Sequence, residues 1–171
     1  MFLRKTVAVL ATAATFTMSV APAYALEIRE PRAHLAFNVP DGWTVDQEGR
    51  YTRAAPQDRS FHLRVIGIDR AWAQDREAEE QMMNAVNEHI DAGTVDLHAR
   101  HIDDWHGFEG VEIRGHGRRK FDNKEGKFFA VSLRDKHDMK KGVVAFGIGT
   151  LEGFERHHPG IYESLHSMHT W

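Results

Sequence analysis

"HLAFNVPDGWTVDQEGRYT", residues 34–52, sets a proline, a turn glycine and an indole within four positions, Pro40 to Trp43, between two extended segments. Proline fixes φ and has no N–H for a strand ladder, so Pro40 ends the first segment. Gly42 supplies permissive turn geometry. Trp43 then restarts the chain with a large apolar area to hide. The stretch reads as a hairpin, "HLAFNV" against "WTVDQEG", with Trp43 buried against a helix or the sheet rather than acting as a binding group.

Working outward, "RYTRAAP" follows. "FHLRVIGI" then puts Phe61, Leu63 and Val65 on one face and His62, Arg64 and Ile66 on the other, the period-two signature of a strand. The period changes between Asp75 and Asp91. There Ala78, Met82, Val86 and Ile90 recur every four residues, Met83 widens the stripe, and acids crowd the first turn. Asp75 is placed to cap this helix and Gly93 to end it. The methionine pair reads as core filler.

Strands resume with "TVDLHARHI", "FEGVEIRGHGRRKF", "KFFAVSLRD" and "GVVAFGIGT". Val111 and Ile113 alternate against Glu112 and Arg114; Phe129, Val131 and Leu133 alternate against Ala130 and Ser132. Gly147 and Gly149 share a face with Val143 and Ala145, so something approaches that sheet closely. "GFERHHPGIYESLHSMHTW" reads as a closing helix, with Pro159 in its first turn and Ile161, Leu165 and Met168 as its buried stripe. The order is three strands, a helix, four strands and a helix. Short connections between sequential strands imply an antiparallel sheet with helices covering its faces.

Residues 1–25 stand apart. "MFLRK" is basic, the following run is apolar, and Ala23 and Ala25 have the spacing that a signal peptidase reads, so cleavage is expected after Ala25. The apolar run is shorter than the ~20 residues of a spanning helix. Residues 26–171 then form a single domain, periplasmic or secreted, with no membrane span after cleavage. There is no cysteine, so disulfides, thiolate metal sites and cysteine nucleophiles are excluded, and stability rests on a packed core. Loss of Arg4 and Lys5 takes the formal charge from −3 to −5, which argues against nucleic acid as the main partner. Twelve histidines make the charge responsive between pH 5 and 7.

Phe37, Pro40, Gly42 and Trp43 near the start of the mature chain, "GVEIRG" at 110–115 and Ser164 in "IYESL" together resemble the PsbP-like superfamily. The likeness in element order extends over nearly the whole mature chain. That group takes in the extrinsic photosystem II protein, a Ran-binding yeast protein and the bacterial DcrB-like proteins. The resemblance implies an α+β fold: an α/β/α sandwich around an antiparallel sheet of about six to seven strands. It also implies a protein that binds macromolecules rather than an enzyme. The leader argues against the role of the cytoplasmic type VI secretion chaperones that share the DcrB-like fold.

Histidines are the chemically suggestive residues. His166 and His169, three apart on the closing helix, could turn two imidazoles toward one ion. His98 and His101 point to opposite faces of a strand. If the segments around "DDWHG" pair, Asp96, His98, Glu112 and His116 share an outer face, a mixed imidazole and carboxylate surface suited to Zn or Cu. The simpler reading of both clusters is solvated surface histidine. Ser60, Ser132, Ser164 and Ser167 lie in no nucleophile motif, though some Ser, His and Asp will meet by chance. "RGHGRRK" (114–120) reads as a solvated strand end. The expected function is a noncatalytic binding or accessory module, a monomer with an unidentified protein partner in the cell envelope and no cofactor. The alternative is a histidine-dependent Zn or Cu protein using His166, His169, His98 and His116, and a hydrolase is third.

Overall fold

The computed structural model describes residues 24–68, 75–91 and 94–171. The leader up to residue 23, Gly93 and the side chain of Asp75 lie outside the described residues. In chain order the elements are β1 (Tyr24–Glu30), β2 (Leu35–Pro40), β3 (Thr44–Glu48), β4 (Tyr51–Ala55), β5 (Phe61–Ile68), α1 (Asp75–His89), β6 (Asp96–Trp105), β7 (Phe108–Arg118), β8 (Glu125–Asp135), β9 (Gly142–Thr150), α2 (Leu151–His166) and β10 (His169–Thr170). Seven strands form one antiparallel sheet in the order β3-β4-β5-β9-β8-β7-β6, and β1-β2-β10 form a second, smaller one. The α+β sandwich expected from the sequence is therefore present, with the three-stranded sheet added.

The opening stretch is a corner between sheets, not a hairpin. β2 belongs to the small sheet and β3 to the edge of the large one. Burial tells them apart. Leu35, Ala36 and Phe37 are all buried, so β2 is covered on both faces, whereas four of the five residues of β3 are exposed. The doubly covered strand and the solvated edge strand lie in different layers. At the corner, the Trp43 N–H donates to the Pro40 carbonyl (3.4 Å) and Gly42 takes φ +77°, the left-handed third position of a type II turn. Trp43 is half-buried, its ring 5.9 Å from Phe61 and 5.6 Å from His157.

Two apolar clusters lie on opposite faces of the large sheet. On one face Phe61, Leu63, Val65, Phe129, Val131 and Leu133 pack with α2 and with Leu35, Phe37 and Val39 of the small sheet. On the other, Met82, Val86 and Ile90 meet Val111, Ile113, Phe128, Ala130, Phe146 and Ile148. The expected stripe of α1 is buried, and Ile90, one residue beyond the helix, bridges to Arg119. Gly147 shows why small residues are needed on β9: a Cβ there would meet Phe61 Cζ at 2.7 Å, in the path of the stacked Phe61 and Phe129 rings.

α2 differs from expectation at both ends. It starts at Leu151, where the Thr150 hydroxyl accepts the Gly153 N–H (2.8 Å), so Pro159 lies inside the helix on its exposed side. It stops at His166 because Ser167 caps it, donating its N–H to Glu163 and its hydroxyl to the Ser164 carbonyl while accepting the Asn38 N–H. Met168 is buried as expected, but in the turn that leads to β10.

Candidate binding site

Register across three strands builds one row of side chains on the α1 face. Arg53 on β4 lies directly opposite Arg64 on β5; Arg64 in turn faces Phe146 on β9, and His62 faces Ile148. α1 packs on β7, β8 and β9 and reaches this row at its last residue, His89, whose ring stacks on Phe146 at 5.1 Å. Phe121, from the turn after β7, supplies another wall. The result is a pocket of about 300 Å³ lined by Arg53, His62, Arg64, His89, Phe121, Phe146 and Ile148.

Its electrostatics are cationic. Arg64 pairs with Glu48 (3.0 Å) and donates from Nη1 to His89 Nε2 (2.8 Å), which requires a neutral imidazole with its lone pair on Nε2. Burial, then the Arg64 charge, holds His89 below its ordinary pKa. His62 is lowered by burial and then by Arg53, Arg64, Arg119 and Arg59. Both rings are neutral at pH 7. Among the described residues Arg53 makes no ion pair, although Asp46 is its cross-strand neighbour on β3. Apolar walls beside fixed positive charge suit an anion carried on an apolar body.

The histidines singled out from sequence fall elsewhere. His166 and His169 do not share a helical face, because Ser167 ends α2 between them and His169 sits on β10. His166 accepts from Trp105 Nε1 and meets His106 ring to ring at 5.5 Å; burial, then His106 and Arg100, lowers its pKa. His169 approaches the Ser167 carbonyl (3.1 Å) and Glu27 (3.9 Å). His166 and His169 border a cleft of about 420 Å³ together with His106, His137 and Asp135.

His98 lies opposite Arg114, and His116 opposite Asp96, to which its Nε2 comes within 3.2 Å. The expected pairing of these strands is present, but Glu112 is not on an outer face. It is 1% exposed and held by Arg100, Arg114 (2.7 Å) and the Tyr162 hydroxyl, with the Arg114 guanidinium 4.5 Å over the Tyr162 ring. No group of three or more His, Asp or Glu that could hold a metal ion occurs among the described residues.

"RGHGRRK" is only partly solvated. Arg114 is drawn inward by Glu112, and Arg119 is 4% exposed, paired with Asp122 (2.5 Å) and stacked over Phe121. Ser167 serves structure as the α2 cap, and Ser164 Oγ is buried with no hydrogen-bond partner among the described residues. Ser60 donates to Asp58, which also binds Arg156 and lies 3.7 Å from His157. The carboxylate, not the imidazole, accepts from the hydroxyl, so the Ser-His order of a nucleophile triad is not formed here. Sequence reading placed His62 and Arg64 on one face but missed the pocket, because Arg53, His89 and Phe121 join it only through register and the end of α1.

With that geometry in place, comparison with known proteins separates fold from function. The solution structure of cyanobacterial PsbP (CyanoP) from Synechocystis sp. PCC 6803 superposes with a TM-score of 0.56 at 14% identity, over 90% of this chain and 96% of that one. The chain has the PsbP-like fold. The 1.9 Å crystal structure of the Saccharomyces cerevisiae Ran-binding protein Mog1p agrees, with a TM-score of 0.58 at 12% identity, over 88% of this chain and 96% of that one. No family model and no curated protein matches the sequence. At such identities the PsbP-like fold is shared while the site residues are this chain's own.

Proposed function

We propose that this chain is an exported, noncatalytic accessory module that binds a protein partner in the cell envelope. One observation carries the reading: among the described residues, no helix covers the β3-β4-β5 end of the large sheet on the α1 face. There His62, Arg64 and Ile66 are half-exposed, and Tyr51 and Phe121 are 41% and 64% exposed. Aromatic and arginine side chains at an uncovered sheet surface are the composition of interface centres. The Ran-binding neighbour supports a binding role for the fold, and the basic-apolar leader with its Ala23 and Ala25 supports export.

The test has two parts. Fractionation of cells should recover the processed chain from the envelope compartment; recovery in the cytoplasm with the leader intact would refute export. A photo-crosslinking residue at Tyr51 should trap one discrete protein adduct in those cells. The same residue at exposed Met139, on the β8–β9 turn, should not. Identical adduct patterns at both positions would sink the open-sheet reading.

A further inference from the structure

Two arginines facing each other across antiparallel strands repel, and such pairs destabilise a sheet unless something neutralises them. At Arg53 and Arg64 the neutralisation is incomplete: Glu48 takes Arg64, and Arg53 has no ion pair among the described residues. Behind the wall lies a further arginine, Arg119, whose charge Asp122 already takes (2.5 Å). Arg119 is 4% exposed, its guanidinium lies 4.8 Å from the Phe121 ring, and its buried Nε has no hydrogen-bond partner.

We propose that the Arg53, Arg64, His62 and His89 pocket binds a small organic anion, with a carboxylate or phosphate group on the arginines and an aromatic or short aliphatic body against Phe121, Phe146 and Ile148. This goes beyond the protein-partner reading, with which it shares His62, Arg64 and Phe121, and adds Arg53, His89, Phe146 and Ile148. Arg53 and Arg64 side by side, with Glu48 already held by Arg64, disfavour a metal cation in this pocket. Size selects a small molecule, because about 300 Å³ is the lower end of ordinary ligand cavities. The apolar walls select against inorganic phosphate, which cannot use them. His62 is neutral beside the arginines and has one ring N–H available as a donor, so it can add a hydrogen bond without a proton transfer.

The experiment uses the purified protein, processed as the cell processes it and ¹⁵N-labelled, at pH 7. Four probes are titrated: benzoate, phenyl phosphate, neutral benzamide and inorganic phosphate. Benzoate and phenyl phosphate should saturate and should shift the amides of Arg53, His62, Arg64 and Phe146. Benzamide and inorganic phosphate should each bind at least tenfold more weakly than phenyl phosphate. Arg53→Ala should weaken both aromatic anions at least tenfold with a thermal midpoint no lower than the parent's, which separates lost binding from lost folding. Phe121→Ser, at an exposed wall residue, should weaken phenyl phosphate while leaving inorganic phosphate unchanged. Equal affinity for benzamide, equal affinity for inorganic phosphate, scattered shifts, or an unaltered Arg53→Ala would each overturn the proposal. A protein adduct at Tyr51 combined with any of those results would overturn the pocket and leave the accessory-module reading intact.

Discussion

On one face of the large sheet, α2 and the small sheet bury side chains from β4 through β8 and reach Trp105 on β6; on the other, α1 covers β7, β8 and β9 and stops at β5. The first face is built from phenylalanine and branched residues stacked across strands, such as Phe61 on Phe129. The second gives way from Phe146 and Ile148 to arginine and histidine within two strands. Packing decides the first face from β4 to β8, and charge appears on it at β7 and β6, where Arg100 and Arg114 are held by the buried Glu112. The second carries side chains that stability alone does not call for, and unexplained charge beside unfilled apolar surface is where a ligand is to be sought.

Substitutions test this contrast. Phe129→Ala on the closed face should cost about 3–5 kcal/mol in urea denaturation, the usual range for a fully buried aromatic; a cost below about 1 kcal/mol would break the claim that this face is tightly packed. Glu112→Ala leaves Arg100 and Arg114 without their shared carboxylate. It should cost about 2 kcal/mol, less than for a wholly buried pair, because both arginines keep access to solvent. Trp43→Ala, half-buried at the corner, should cost about half of the full aromatic loss, roughly 2 kcal/mol. An unchanged midpoint would mean that the corner needs no anchor.

Acid should expose a smaller effect on both faces. His62, His89, His158 and His166 all have pKa values below the ordinary 6.5, with burial the largest cause in each. Below 6.5 the unfolded chain binds protons that these folded side chains refuse. Stability is therefore fully present above 6.5 and falls as pH drops through the lowered folded values. The urea midpoint should decline from pH 7 to pH 5, and His89→Gln should flatten that decline. The smallest effect has the opposite sign. Arg53→Ala removes a like-charge pair and should leave the midpoint unchanged or raise it by a few tenths of a kcal/mol.

Much of this architecture was legible in local periodicity. Met82, Val86 and Ile90 announced the buried stripe of α1, and the alternation at Phe61, Leu63 and Val65 announced a strand with one packed face. Two kinds of feature were not legible. Sheet membership was one: β2 and β3 are adjacent in sequence and joined by a tight turn, and their placement in different sheets shows only in which residues neighbouring layers cover. Long-range convergence was the other. Glu112 alternates as an outward residue, yet Tyr162, fifty positions on, arrives with α2 to bury it. His166 and His169 looked like helical neighbours until the Ser167 cap, fixed by Asn38 on β2, divided them.

The small sheet also decides how the molecule meets force. β1 and β10 both pair antiparallel with β2, so they run parallel to each other, and the chain enters at the Pro40 end of β2 and leaves at its Leu35 end. Tension between the two ends therefore acts along the strands, in shear, loading their hydrogen bonds together rather than peeling them one by one. The load is unequally shared, since β1 matches six residues of β2 and β10 only two. β10 is the fuse. Under tension it should release first and free the end of α2 through Ser167, which then passes the load down α2 to β9 of the seven-stranded sheet.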